Sequence, residues 1–214
     1  MKNDPLLKNR AAGVLQRLEQ RYPKPRPTLD WDNPWQLLVA TVLAAQCTDA
    51  RVNLVTPFFF QRWPSPAELS KAATGDIEEI IRSTGFYHNK AKHLREAARI
   101  IMTSFNGAVP QSMSELLTLP GVARKTANIV LSHAFNRHEG IAVDTHVKRI
   151  AGRLGLTDST DPMRIEKDLM PLFERRCWGL INHMLVMFGR EICHARKPLC
   201  QNCPLGDLCP RIDL

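Results

Sequence analysis

No apolar run reaches the length of about 18 residues that a membrane-spanning helix needs, so none is expected. The opening Met1-Lys2-Asn3-Asp4-Pro5 leads into a polar amphipathic stretch without an apolar core, and no export signal is expected. Period-2 alternation is missing, as are internal repeats and low-complexity tracts, which leaves helices as the building material. Acidic side chains are in short supply, 21 against 29 basic ones, for a formal net charge of +8 and a pI near 9.4. That imbalance favours a polyanionic partner, usually nucleic acid. With 44% hydrophobic residues, the 214-residue chain has the apolar material for one large or two small packed domains.

Cysteine is sparse and unevenly placed. Cys47 and Cys177 stand alone and read as buried structural thiols. Cys193, Cys200, Cys203 and Cys209 crowd together with the spacing C-x6-C-x2-C-x5-C. Without an export signal these four suit a metal or cluster better than disulfides. Four thiolates bind either zinc or a [4Fe–4S] cluster, and spacing alone leaves both open.

Apolar periodicity predicts a first helix over 6–18. The stretch Tyr22–Pro34 carries four prolines and reads as an extended crossing segment. A nearly continuous apolar helix follows over 35–45, then one capped by Thr48 or Asp49 and running to about Phe60. Ser65 or Pro66 starts a short helix, and 76–83 forms another, closed at Gly85. A long basic helix over 86–103 carries Lys90, Lys92, Arg95 and Arg99. Ser112 with Glu115 fits a capping box for a helix ending at Leu119. Helices are also expected over 145–154, from Pro162 behind an Asp161 cap, and over 178–188, ending at Gly189. The sum is an all-α fold of about ten helices.

A helix that ends at Leu119-Pro120-Gly121 and restarts by Arg124 is a helix–hairpin–helix, spanning about 112–136. Gly121 allows a positive φ or a close backbone approach. The first amides of the second helix and its positive dipole end suit a phosphate, which fixes position on a duplex without reading sequence. Lys125 lies in that first turn, where the dipole and Arg124 both disfavour its protonated form. Read alone, it is a solvated lysine or a phosphate contact. Asp144 opens the next helix and, read alone, is an N-cap.

The string LPGVARKTA resembles the hairpin of the endonuclease III family of DNA glycosylases, usually LPGVGRKTA, with Ala123 in place of the second glycine. Alanine presents the same amide there only if φ is negative or strain is tolerated. VDTHV, GFYHNKAKHL, LLVATVLAAQCTDARVN and the four-cysteine loop extend the similarity over nearly the whole chain. The resemblance implies Lys125 as Schiff-base nucleophile and Asp144 as catalytic carboxylate. It also implies a [4Fe–4S] cluster on Cys193, Cys200, Cys203 and Cys209. DNA contacts are then expected from Gly121, Ala123, Arg124 and Lys197, with Gln46 filling the gap left by an extruded nucleotide. Phe86 stands at the family's wedge position and reads equally well as core.

The resemblance implies two helical lobes with a DNA-binding cleft between them, Lys125 and Asp144 facing each other across it. Residues 25–140 would form one, and 1–24 with 141–214 the other. The expected activity is that of a bifunctional glycosylase/AP lyase removing oxidised or reduced pyrimidines. It would act as a monomer on double-stranded DNA carrying damaged bases or abasic sites, in the cytoplasm or with the nucleoid. Three alternatives stay open. An adenine-mismatch glycosylase shares the motifs, but would lack the lysine and carry a carboxylate in the early helix, where 33–48 has none. A thymine- or uracil-mismatch glycosylase uses the same scaffold. A non-catalytic DNA-binding module with structural zinc is the third.

Overall fold

The computed structural model describes residues 4–23 and 28–212. Prolines 25 and 27 of the expected crossing segment lie outside the described residues, as do Met1, Lys2 and Asn3. Among the described residues there are eleven α-helices, four short 3₁₀ helices and no strand. No described helix is long and apolar enough to cross a membrane. The chain divides into two compact units, Pro27–Arg137 and Met1–Arg26 with His138–Leu214.

In the unit Pro27–Arg137, helix α2 (Pro34–Leu43) is the centre. Asn33 caps it through Gln36 N–H, Pro34 sits at the first turn, and Trp35 with 37–43 are buried. Around it lie α3 (Asp49–Arg62), α4 (Pro66–Lys71), α5 (Thr74–Ile81), α6 (Tyr87–Ser104), α7 (Met113–Leu116) and α8 (Arg124–Phe135). Their buried faces, led by Val52, Phe59, Leu69, Ile77, Leu94, Ile101, Leu116 and Leu131, form one core with α2. Ser65 forms a full capping box with Glu68 at α4.

In the other unit, α1 (Pro5–Arg21) packs on α11 (Trp178–Glu191), which also carries α9 (Thr145–Arg153); α10 (Pro162–Leu169) packs beside α9. Ala11, Val14, Leu18, Val147, Ile150, Ile181, Leu185 and Phe188 fill the core.

Several sequence expectations need correction. Thr48, not Asp49, is the N-cap of α3; Asp49 is its first residue. The helix expected to end at Leu119 stops at Leu116, and a turn with Leu119 N–H bonded to Leu116 O takes over. Only half of the expected capping box forms at α7. Ser112 Oγ accepts from Glu115 N–H, while Glu115 bonds the Ser112 hydroxyl instead of its backbone. Gly189 does not end α11, which continues through it to Glu191. Cys177 is buried, and burial pushes its thiol up; Cys47 is only half-buried.

Candidate active site

The hairpin is built from the turn between α7 and α8. Gly121 has φ +80°, and a Cβ there would lie 3.1 Å from His93 Cβ and 3.3 Å from its Nδ1. Both reasons for glycine, left-handed backbone and close approach, therefore apply at this one position. Val122 anchors the turn in the core, with its N–H on Leu119 O. Ala123 is the N-cap of α8 with φ −91°, so the missing second glycine costs the backbone nothing. Ala123, the N-cap residue, makes no side-chain cap hydrogen bond to α8. The N-terminal amides and dipole end of α8 suit an anionic acceptor, and Gly121, Ala123 and Lys125 are all exposed. Arg124 is half-buried in the same turn.

Two other expected DNA contacts are held in the same unit by unusual backbones. Gln46, after α2, has φ 53°, and Phe86, before α6, has φ 49°. Left-handed backbone at non-glycine residues costs free energy and persists where the surroundings impose it. Gln46 is exposed, and Phe86 is 63% exposed, so Phe86 is not core.

In the unit containing α9, Asp144 is the N-cap of that helix. Its Oδ1 accepts from both His146 N–H and Val147 N–H at 2.8 Å. Both capping bonds fall on Oδ1, so capping does not use Oδ2. The segment leading into Asp144 is fixed by Asn182, a buried residue of α11 whose side-chain amide donates to Ala142 O at 2.7 Å. Asn182 has one signal in the sequence, a lone amide among the mostly apolar residues of this helix.

The far end of α9 grips the cysteine loop. Arg149 donates to Cys193 O (2.9 Å) and Gly189 O (3.2 Å). Arg153, itself buried, donates to His194 O (2.7 Å), Ala195 O (3.0 Å) and Cys193 Sγ (3.3 Å). Gly189 makes this packing possible, because a Cβ there would fall 2.5 Å from His146 Nδ1 and 2.8 Å from Arg149 Nη2. Gly189→Ala should therefore lower the unfolding midpoint, by an overpacking cost of about 1–3 kcal/mol. A thermal melt checks this, and an unchanged midpoint would show that α9 shifts freely.

Cys193, Cys200, Cys203 and Cys209 line one apolar pocket with Ile150, Phe188 and Leu205. Burial pushes the thiols of Cys203 and Cys209 up. Among the described residues no three His, Cys, Asp or Glu side chains converge closely enough to hold one metal ion. Zinc would require all four sulfurs at about 2.3 Å from a common centre. A four-iron cluster instead takes one thiolate at each corner, which suits thiols spread around a pocket. Arg17, on α1, clamps the loop through Asp207 (Nη2 to Oδ2, 2.7 Å) and Pro204 O (2.7 Å). The Arg17 guanidinium holds the Asp207 carboxyl at about 2, so this pair survives until the pH falls through that value. Lys197, expected at the DNA, is exposed with φ 52°.

Residues 39–175 match the family model of the HhH-GPD superfamily of base excision DNA repair proteins. Residues 193–209 match the iron–sulfur binding domain of endonuclease III. The endonuclease III of a Synechocystis species is 55% identical over 203 residues, 95% of this chain and 93% of that protein. A solved non-covalent endonuclease III–DNA complex has a TM-score of 0.90 at 40% identity, covering 95% of each chain. A trapped endonuclease III–DNA covalent intermediate has the same score and identity, covering 95% of this chain and 96% of that one.

Proposed function

This chain belongs to the endonuclease III family, within the HhH-GPD superfamily of base excision DNA repair proteins, and from that premise we propose how its own residues act. It is a bifunctional DNA glycosylase/AP lyase whose partner is double-stranded DNA carrying damaged bases or abasic sites. Oxidised or reduced pyrimidines are the bases it removes, and it acts as a monomer in the cytoplasm, with the nucleoid in a bacterial cell. The observation that carries the reading is Lys125, exposed in the first turn of a helix that begins at the Gly121 turn with Ala123 as its N-cap.

The amides following Gly121 and Ala123, with Arg124, bind a phosphate next to the lesion and set the register. The damaged nucleotide swings out of the stack at a cost of a few kcal/mol, which the damage itself reduces. Gln46 fills the gap, and Phe86 wedges into the opposite strand. Lys125 Nζ attacks C1′ with its lone pair. Asp144 Oδ2 assists removal of the proton from that nitrogen and stabilises positive charge on the sugar. The C1′–N bond breaks and the base leaves with the electron pair and a proton. The Nζ lone pair then expels O4′ by breaking the C1′–O4′ bond, O4′ taking a proton, which opens the sugar to the Schiff base. Loss of a C2′ proton breaks the C3′–O bond by β-elimination, and the phosphate leaves with that electron pair, cutting the strand on the 3′ side.

Cys193, Cys200, Cys203 and Cys209 hold the [4Fe–4S] cluster. Bound there, it cross-links the loop and gives Arg149 and Arg153 a fixed frame to grip, so that the helix bearing Asp144 is set from its far end. Lys197 adds a phosphate contact from the same loop. The iron–sulfur match at residues 193–209 removes the ground for a zinc-bearing, non-catalytic module.

Product analysis tests the substrate class. A duplex with thymine glycol should release the base and yield a β-eliminated strand, an abasic duplex should be cut likewise, and a T·G mismatch should be left intact. Thymine release from T·G with an uncut strand would replace this reading with a mismatch glycosylase.

A further inference from the structure

We propose that Lys90 is a positioning residue for DNA distortion, its side chain tying together the two turns that present Gln46 and Phe86. The inference rests on the reading of those two residues as the gap filler and the wedge.

By sequence, Lys90 is one of four basic residues placed along the long helix over 86–103, with nothing to set it apart. The structure buries it, to 5% exposure. Its Nζ donates at 2.8 Å to Leu43 O and at 2.8 Å to Thr84 O. Leu43 is the last residue of α2, and its carbonyl is among those a helix C-terminus leaves without an intrahelical partner. Gln46 follows three residues later. Thr84 is itself buried and stands two residues before Phe86. The backbone N–H of Lys90 also donates to Phe86 O at 3.1 Å, closing the first turn of α6 onto the wedge.

One side chain thus holds two turns from distant parts of the sequence, and each turn carries an exposed residue in left-handed conformation. Such conformations persist when the surroundings over-determine them, and fixed carbonyls on either side do this. A buried ammonium bonded to two carbonyls is stiffer than a cap on one helix alone needs to be. Burial moves the Lys90 amine down from its ordinary value while the nearby Cys47 works the other way. Distance between the turns decides whether filler and wedge enter the duplex together, and displacements on the scale of 1 Å suffice to slow reaction steps markedly.

The test compares extrusion with chemistry that needs none. Extrusion is read by 2-aminopurine fluorescence beside thymine glycol in a duplex. Strand cleavage at an abasic site within a bubble of unpaired bases needs no filler or wedge. Rates are taken per active site, counted by borohydride trapping on the bubble, so a partly misfolded preparation does not distort them. Lys90→Met should slow extrusion by about tenfold or more while bubble cleavage stays within about twofold. Lys90→Gln, a milder change that keeps one donor, should shift the same ratio less, and carries the comparison if the methionine variant does not fold. In the double variant Gln46→Ala/Lys90→Met the losses should not add in full, because Lys90 acts partly by placing Gln46. Equal losses on both substrates, or additive losses, would make Lys90 ordinary structural support and overturn the proposal. A slow Gln46→Ala beside a Lys90→Met of wild-type speed overturns the proposal and leaves the filler reading standing. A Gln46→Ala of wild-type speed removes that reading, and the proposal with it.

Discussion

Replacing Lys125 with glutamine should reduce cleavage at an abasic site by roughly 10⁴-fold or more, the scale on which enzymes lose rate when their nucleophile is removed. Binding should change far less. The phosphate donors proposed for the hairpin are backbone amides, in a turn held by Gly121 at φ +80° and Val122 in the core, and neither depends on the Lys125 side chain. Lys125 is exposed, so its replacement leaves no buried gap, and the melting temperature should hold. The predicted pattern is lost chemistry, retained affinity for abasic DNA at moderate salt and unchanged stability. Cleavage rates, gel-shift titration and a thermal melt measure the three separately. A merely phosphate-binding lysine would give the opposite pattern, with weakened affinity and surviving cleavage.

Asp144→Asn should separate capping from catalysis. Asparagine is about as good an N-cap as aspartate, and its side-chain carbonyl can take the two amides that Asp144 Oδ1 takes, from His146 and Val147. Stability should therefore change by less than about 1 kcal/mol. The amide cannot accept a proton or stabilise positive charge on the sugar as a carboxylate does. Base release should fall by about 10²–10⁴-fold, the usual range for loss of a positioned acid–base group. Asp144→Ala adds the loss of the cap, about 0.5–2 kcal/mol, and should be less stable than the asparagine variant at similar activity. If asparagine retained full activity, Asp144 would be a cap and nothing more.

What the sequence made legible has a common property: it is local. The Pro-Gly turn, the Asp144 cap and the C-x6-C-x2-C-x5-C spacing are each set by neighbours within a few residues. All-helical architecture follows from periodicity over similar windows. The features that went unread depend on residues far apart in the chain. Lys90 is one basic residue among four on its helix until α2 and the Thr84 turn close over it. Gly189 reads as a helix end because glycine commonly follows one; here it lets His146 and Arg149 approach α11. Asn182 is an amide in an apolar helix until Ala142 supplies its acceptor. Phe86 stayed ambiguous in sequence because an aromatic residue serves core and wedge equally, and only the fold leaves it exposed. Ala123 was settled by one backbone angle, φ −91°, which a family motif cannot supply.

The central claim is that Lys125 becomes covalently bonded to C1′ of the damaged nucleotide. Incubating the protein with a thymine glycol duplex and borohydride, followed by peptide mapping of the trapped adduct, measures that bond directly. A stable cross-link whose mass lies on the side chain of Lys125 is the predicted result. An adduct on a different residue, or base release at full rate with no adduct at all, would contradict the account.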